Sequence, residues 1–138
     1  MNRKTIRQIP ITLMTIVGLA MASLGHSNDD LSASIQADYQ HRLGDMFKHF
    51  HANPELSTGE FKTAKKIAQE LRAHGFNVTE NVGGTGLVAL LKNGTGPLVM
   101  MRADMDGLPV EEKTGLSYAS TVTQLDPVTQ KTFPVMHA

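Results

Sequence analysis

The sequence predicts an α/β domain, with helices packed on a mixed sheet, on three observations. Apolar residues first recur at three- and four-residue steps, the helical period. After Gly75 they gather instead into short continuous runs separated by turn dipeptides, the pattern of covered strands. Hydrophobic residues make 41% of the chain and charged ones 19%, a balance that excludes general disorder.

Taken in order, residues 1–28 read as a signal peptide. Arg3, Lys4 and Arg7 give a basic start, Ile9 to Ala22 is free of charge, and Ala20-Met21-Ala22 places small residues where a signal peptidase reads them. Cleavage is expected after Ala22. The apolar run is shorter than the roughly 20 residues of a comfortable membrane span, so an uncleaved anchor is the lesser reading. No cysteine follows, which excludes a lipoprotein anchor. The expected destination is the periplasm or the exterior, and residues 29–138 form the folded part.

Asn28-Asp29-Asp30 is a candidate helix N-cap cluster, because short side-chain oxygens accept from the free N–H groups of a first turn. Leu31, Ile35, Tyr39, Leu43, Met46, Phe47 and Phe50 then define one apolar helix face, and Asn53-Pro54 ends it. A second helix is expected from Ser57, since Ser57-Thr58-Gly59-Glu60 has the capping-box spacing. Phe61, Ala64, Ile67, Ala68 and Leu71 form its expected buried face, and Gly75 its left-handed stop.

Phe76 to Thr79 alternates, and Gly86 to Leu91 is a continuous apolar run. Leu98 to Met101 is another, expected to pair antiparallel with the preceding run across the Asn93-Gly94 turn and to deliver Arg102 to Asp106 at its end. Thr123 to Thr132 is polar and reads as an excursion or hairpin.

Thirteen basic and thirteen acidic side chains cancel, so no net field favours nucleic acid or an anionic membrane. The absence of cysteine excludes disulfides and thiolate chemistry within these residues. Gly83-Gly84-Thr85-Gly86 lacks the Lys-Ser/Thr of a phosphate-binding loop and leads into a strand, so it reads as a turn. Asp104 and Asp106 stand at i and i+2 on an extended segment, so both carboxylates can share one side. They could orient a histidine, bind a cation or hold an arginine. On spacing alone the plainer reading is stronger, in which they cap a turn and pair with Arg102 or Lys113. His49 and His51 face apart on a helix and make no zinc pair, and His51, just before Pro54, reads as structural or surface. Glu111 and Glu112 precede a loop-like Lys113-Thr114-Gly115 and read as solvated charges.

Taken together, His51-Ala52-Asn53-Pro54-Glu55-Leu56-Ser57, Gly83 to Gly86, Arg102 to Pro109, Glu112 to Leu116 and Val135 to Ala138 occur in an order and spacing that resembles the metal-dependent amidohydrolases: aminoacylases, hippurate hydrolases and auxin-conjugate hydrolases. In that family His-Ala is followed by Cys-Gly-His-Asp, which supplies metal ligands, whereas this sequence stops at His137-Ala138. The resemblance implies the N-terminal part of a zinc-exopeptidase-like catalytic domain, incomplete and inactive as this chain alone. The complete enzyme would hold two divalent metals, zinc or manganese, and cleave the amide bond of an N-acyl amino acid or similar conjugate. It admits a homodimer for the full-length form and implies neither nucleic acid nor a stable membrane anchor.

By the same resemblance, Asp106 matches the carboxylate that stands behind a metal-ligating histidine and orients it. Asp104 falls where related enzymes place the histidine itself, but in this subfamily that role passes to Cys-Gly-His. His137 is a neighbour of the site rather than a ligand. No metal ligand is assignable in the chain, and the fragment is expected to bind none. Gly107 replaces a common alanine, a small change. The alternative is a short exported binding or interaction module built on an amidohydrolase-like half-domain.

Overall fold

The computed structural model describes residues 23–137. Residues 1–22, which hold most of the expected leader and the expected cleavage point after Ala22, and the terminal Ala138 lie outside the described residues. The chain divides between Gly44 and Asp45 into two compact units.

In the first unit, α1 (Ser23–Asp38) runs into a π-helical turn (Tyr39–Leu43). The Gly44 N–H reaches back to the Tyr39 carbonyl, and a Cβ on Gly44 would stand 2.9 Å from that oxygen, so the wide turn accommodates glycine at its exit. Asn28-Asp29-Asp30 therefore lies inside a helix, not at its start. A cap contributes only about 1 kcal/mol, and continuing the helix gains one backbone bond per residue. The apolar stripe is not a core: Leu31, Ile35 and Tyr39 are exposed.

The second unit opens with most of α2 (Gly44–Ala52). It stops where the sequence predicts: Asn53 Nδ2 donates to the His49 carbonyl at 2.8 Å, and Pro54 follows. The next helix, α3 (Phe61–Ala73), begins four residues later than expected. Ser57 and Glu60 form no capping box. Ser57 and Thr58 lie in a turn, Thr58 with φ 65°, and Glu60 makes no side-chain cap. The first-turn donors go to Glu55 instead, whose two carboxylate oxygens accept from Lys62 N at 3.2 Å and Thr63 N at 2.7 Å. A full negative charge at the positive end of the helix is a stronger acceptor there than a hydroxyl. Glu60, freed from capping and buried, accepts from Thr85 Oγ1 at 2.5 Å, which ties the helix to the turn before β2.

Ala64 and Ala68 are buried on α3, with Ile67 and Leu71 half-buried, but Phe61 is 65% exposed and does not join the expected face. The C-terminus closes as predicted. Gly75 has φ +84°, its N–H bonds Arg72 O at 3.0 Å, and Phe76 N bonds Leu71 O at 3.1 Å, the reciprocal pair of a Schellman stop.

β1 (Asn77–Val82) pairs antiparallel with β2 (Gly86–Leu90) through the Gly83-Gly84 turn. Arg72 anchors this ribbon on α3 by bonding Glu80 at 2.6 Å and the Val78 carbonyl at 3.2 Å. The expected pairing of Gly86–Leu91 with Leu98–Met101 does not form. Among the described residues, Leu98–Met101 has no strand partner, and β2 is only half covered. The polar excursion is a hairpin, β3 (Thr123–Leu125) with β4 (Thr132–Pro134). Asp126 shapes its turn, accepting from Val128 N at 2.8 Å and from Thr129 Oγ1 at 2.9 Å; with the Val128 N–H the larger influence, these bonds hold its carboxyl below the usual range.

Between these ribbons lies a three-segment clasp. Gly107 N donates to Glu55 O at 2.6 Å, and Leu56 and Gly107 form a parallel bridge. On the other side Leu108 and Met136 exchange bonds of 2.7 and 3.1 Å in an antiparallel bridge. Both pairing senses thus meet at residues 107–108, and helices with short sheets give the α/β class expected. Val135, 1% exposed, and Leu56 are the buried apolar residues of this clasp.

A candidate active-site cleft

The clasp sets the geometry of everything near Asp106. Gly107 has no room for a side chain: a Cβ would stand 2.8 Å from Val135 Cγ1 and 2.9 Å from Pro54 Cβ. Glycine in place of alanine is therefore not a neutral change here, as the sequence suggests, but a packing requirement. Gln124 locks the facing turn, accepting from Leu56 N at 2.6 Å and donating to Gly59 O at 3.4 Å.

Asp106 is half-buried just before the clasp, and among the described residues its carboxylate accepts no protein hydrogen bond. Asp104 behaves as the plainer reading has it, pairing with Arg102 at 2.6 Å on the surface. Lys113 pairs instead with Glu111 at 3.3 Å. The two aspartates do not act as one unit. Asp104 lines a cleft of about 420 Å³ together with Phe47, Phe50, His51, Ile67 and His137, whereas Asp106 is not among the lining residues. The structure thus brings Asp104, His51 and His137 from three distant stretches of sequence to one mostly apolar hollow.

A second cavity of about 440 Å³ shares Pro54 and is lined by His49, Glu55, Phe61 and Gln124. Its lining includes neither aspartate and none of residues 135–137.

Glu112 overturns the expectation of a solvated charge. Its side chain is inaccessible to solvent, and it gathers three donors: Thr114 Oγ1, Ser120 N at 2.5 Å and His51 Nε2 at 2.8 Å. These bonds, Thr114 first, then His51 and Ser120, hold its carboxyl down at about 2 from an ordinary 4.5. Ser120 extends the network by donating from Oγ to the Val135 carbonyl at 2.6 Å. Glu111, its neighbour, stays exposed as expected. The His51 ring is packed edge-on against Tyr118 at 5.2 Å and lies 6.0 Å from Phe47. The structural reading of His51 is thus correct, but its partner stands 61 residues away. A Glu followed at two and eight residues by Thr and Ser is the only local hint of this network.

Among the described residues, no three His, Cys, Asp or Glu side chains converge to hold a metal ion. Asp104 is tied to Arg102, and Glu112 is saturated by neutral donors and an imidazole. The residues present do not by themselves make a two-metal centre. No helix among the described residues is long and apolar enough to cross a membrane.

No family model matches the chain. Individual relatives do. It is 43% identical over 84 residues to a hippurate hydrolase of Campylobacter jejuni, a match covering 60% of this chain and 22% of that protein. An N-acetyl-L-cysteine deacetylase of Bacillus subtilis is 43% identical over 74 residues, covering 53% and 18%. An IAA-amino acid hydrolase of Arabidopsis thaliana is 32% identical over 92 residues, covering 67% and 21%. Among solved structures, the Bacillus subtilis YXEP protein, a dinuclear metal binding peptidase from the M20 family, superposes with a TM-score of 0.58 at 32% identity. That superposition covers 73% of this chain and 26% of the other. The chain spans about a fifth of the length of the curated relatives it matches.

Proposed function

Because the chain carries a segment of the amidohydrolase and M20 peptidase family, we propose that it serves metal-dependent hydrolysis of the amide bond in N-acyl amino acids or similar conjugates. Its part is to build the wall and the supporting carboxylate of the site. The observation that carries this reading is the clasp: Leu56, Gly107 and Met136 are hydrogen-bonded side by side, so the three stretches of family-like sequence converge on one place. Asp106, next to that clasp, is the positioning carboxylate for a metal-ligating histidine, a role supported by its match to the family's sequence and by a carboxylate that accepts no hydrogen bond among the described residues. The metals, zinc or manganese, would be held by residues other than those described, and these 138 residues alone turn over no substrate. Export is the accompanying proposal, supported by the basic, apolar and small-residue order of residues 1–22.

The test is to read the gene past codon 138 and express its whole frame. Release of free amino acid from N-acyl amino acids, abolished by a chelator and reduced about 10- to 100-fold by Asp106→Asn, is the expected result. A metal-loaded product without amide hydrolysis would overturn the reading. The exposed Leu98–Met101 stretch favours a second reading, a binding module. A stable monomeric chain that captures a defined partner without hydrolysis would support it.

A further inference from the structure

Glu112 and His51 take no part in the reading above, yet Glu112 accepts from His51, Thr114 and Ser120 at once. The carboxylate is ionised across the range in which the protein is handled, so it can only accept. The Nε2 atom 2.8 Å away must then carry the proton of that bond. In a neutral imidazole the lone pair is left on Nδ1. Nδ1 has no hydrogen-bond partner among the described residues, and no buried side-chain nitrogen or oxygen there lacks one. Nδ1 is therefore accessible, on a ring whose side chain is 15% exposed and which lines the cleft. Tyr118 and Phe47 hold the ring by its edge and face. Phe50, Pro54, Ile67 and Met105 make the apolar part of the cleft wall, while Thr63, Asp104 and His137 add polar side chains to it.

We propose that Glu112 is a positioning residue that locks His51 as its Nε2–H tautomer, so that Nδ1 is a fixed hydrogen-bond acceptor in an apolar cleft, matched to the amide N–H of an N-acyl amino acid. This rests on the amide-hydrolysis reading for the ligand class, but not for the tautomer. Thr114 and Ser120 keep the carboxylate in place, and the Ser120 Oγ bond to Val135 O ties this network to the segment that carries His137. A locked tautomer matters because an imidazole free to exchange its proton would present a donor to the same N–H for part of the time.

The experiment is ring ¹⁵N NMR of the 138-residue chain at about pH 8, above the ordinary imidazole pKa of about 6.5. His51 is assigned by the loss of its signals in His51→Asn. The expected spectrum has a pyrrole-type Nε2 and a pyridine-type Nδ1, and Glu112→Gln, whose amide can donate or accept, moves both nitrogens toward the averaged values of a mixture. Thr114→Val, which removes one donor and keeps the carboxylate, retains the single tautomer. Added N-benzoylglycine shifts the wild-type Nδ1 resonance and leaves that of Glu112→Gln unmoved. A wild-type spectrum of the Nδ1–H form, or of a mixture, overturns the lock whatever the variants do. A locked tautomer that ignores N-benzoylglycine overturns the acceptor role. Neither result depends on hydrolysis, so failure here is distinct from failure of the proposed reaction.

Discussion

Leu98–Met101 and Gly107–Leu108 lie on one extended stretch, less than ten residues apart, and meet opposite fates. The first is a continuous apolar run, yet its four residues are 90%, 80%, 87% and 94% exposed and no strand pairs with it among the described residues. The second holds a glycine and a half-exposed leucine, yet it is bonded on both edges, to Glu55 on one side and Met136 on the other. Hydrophobicity makes a segment willing to be buried. Only a partner with matching backbone groups makes it a strand.

The contrast can be broken from the clasp side with the largest effect. Gly107→Ala drives a methyl against Val135 and Pro54, and overpacking of this kind costs about 1–3 kcal/mol. A urea titration should show the midpoint fall with the slope unchanged. An alanine tolerated without loss would mean that the clasp is loose.

An intermediate effect comes from pH. The Glu112 carboxyl is depressed in the folded chain, so its contribution is complete above about 4.5 and is lost as pH falls through about 2. Wild type should therefore lose stability on acidification across that window. Glu112→Gln, less stable at neutral pH, should lack this part of the slope. Parallel curves for the two proteins would remove Glu112 from the network.

The smallest effect belongs to the exposed run. Met100→Lys should leave stability within about 0.5 kcal/mol, because nothing packs on that side chain, while lowering self-association in sedimentation. A large destabilisation would show the run to be part of the core after all.

What could be read in the sequence was what is local. The Asn53-Pro54 stop, the Gly75 cap, the Gly83-Gly84 turn and the 123–132 hairpin each depend on residues within a few positions of one another, and each formed. The capping box failed because Glu55, just upstream, offers a charged acceptor that the spacing rule does not weigh against Ser57. At the site, the order and spacing of the family-like stretches were legible, whereas their meeting at the clasp and the burial of the Glu112 side chain were not. Its partners His51 and Ser120 approach it only once the clasp has closed, and no short-range pattern encodes that. The packing demand on Gly107 was hidden for the same reason, since Pro54 and Val135 meet it from far along the chain.

The most direct measurement is native-state hydrogen exchange resolved to single amides. The N–H groups of Gly107, Leu108, Val135 and Met136, all bonded to distant carbonyls, should exchange slowly and together, through one opening event. Those of Val99, Met100 and Met101 should exchange near the rate of an unstructured chain. Equal protection of the two groups would contradict the account, because the apolar run would then be a paired strand and the clasp would not be what organises the cleft.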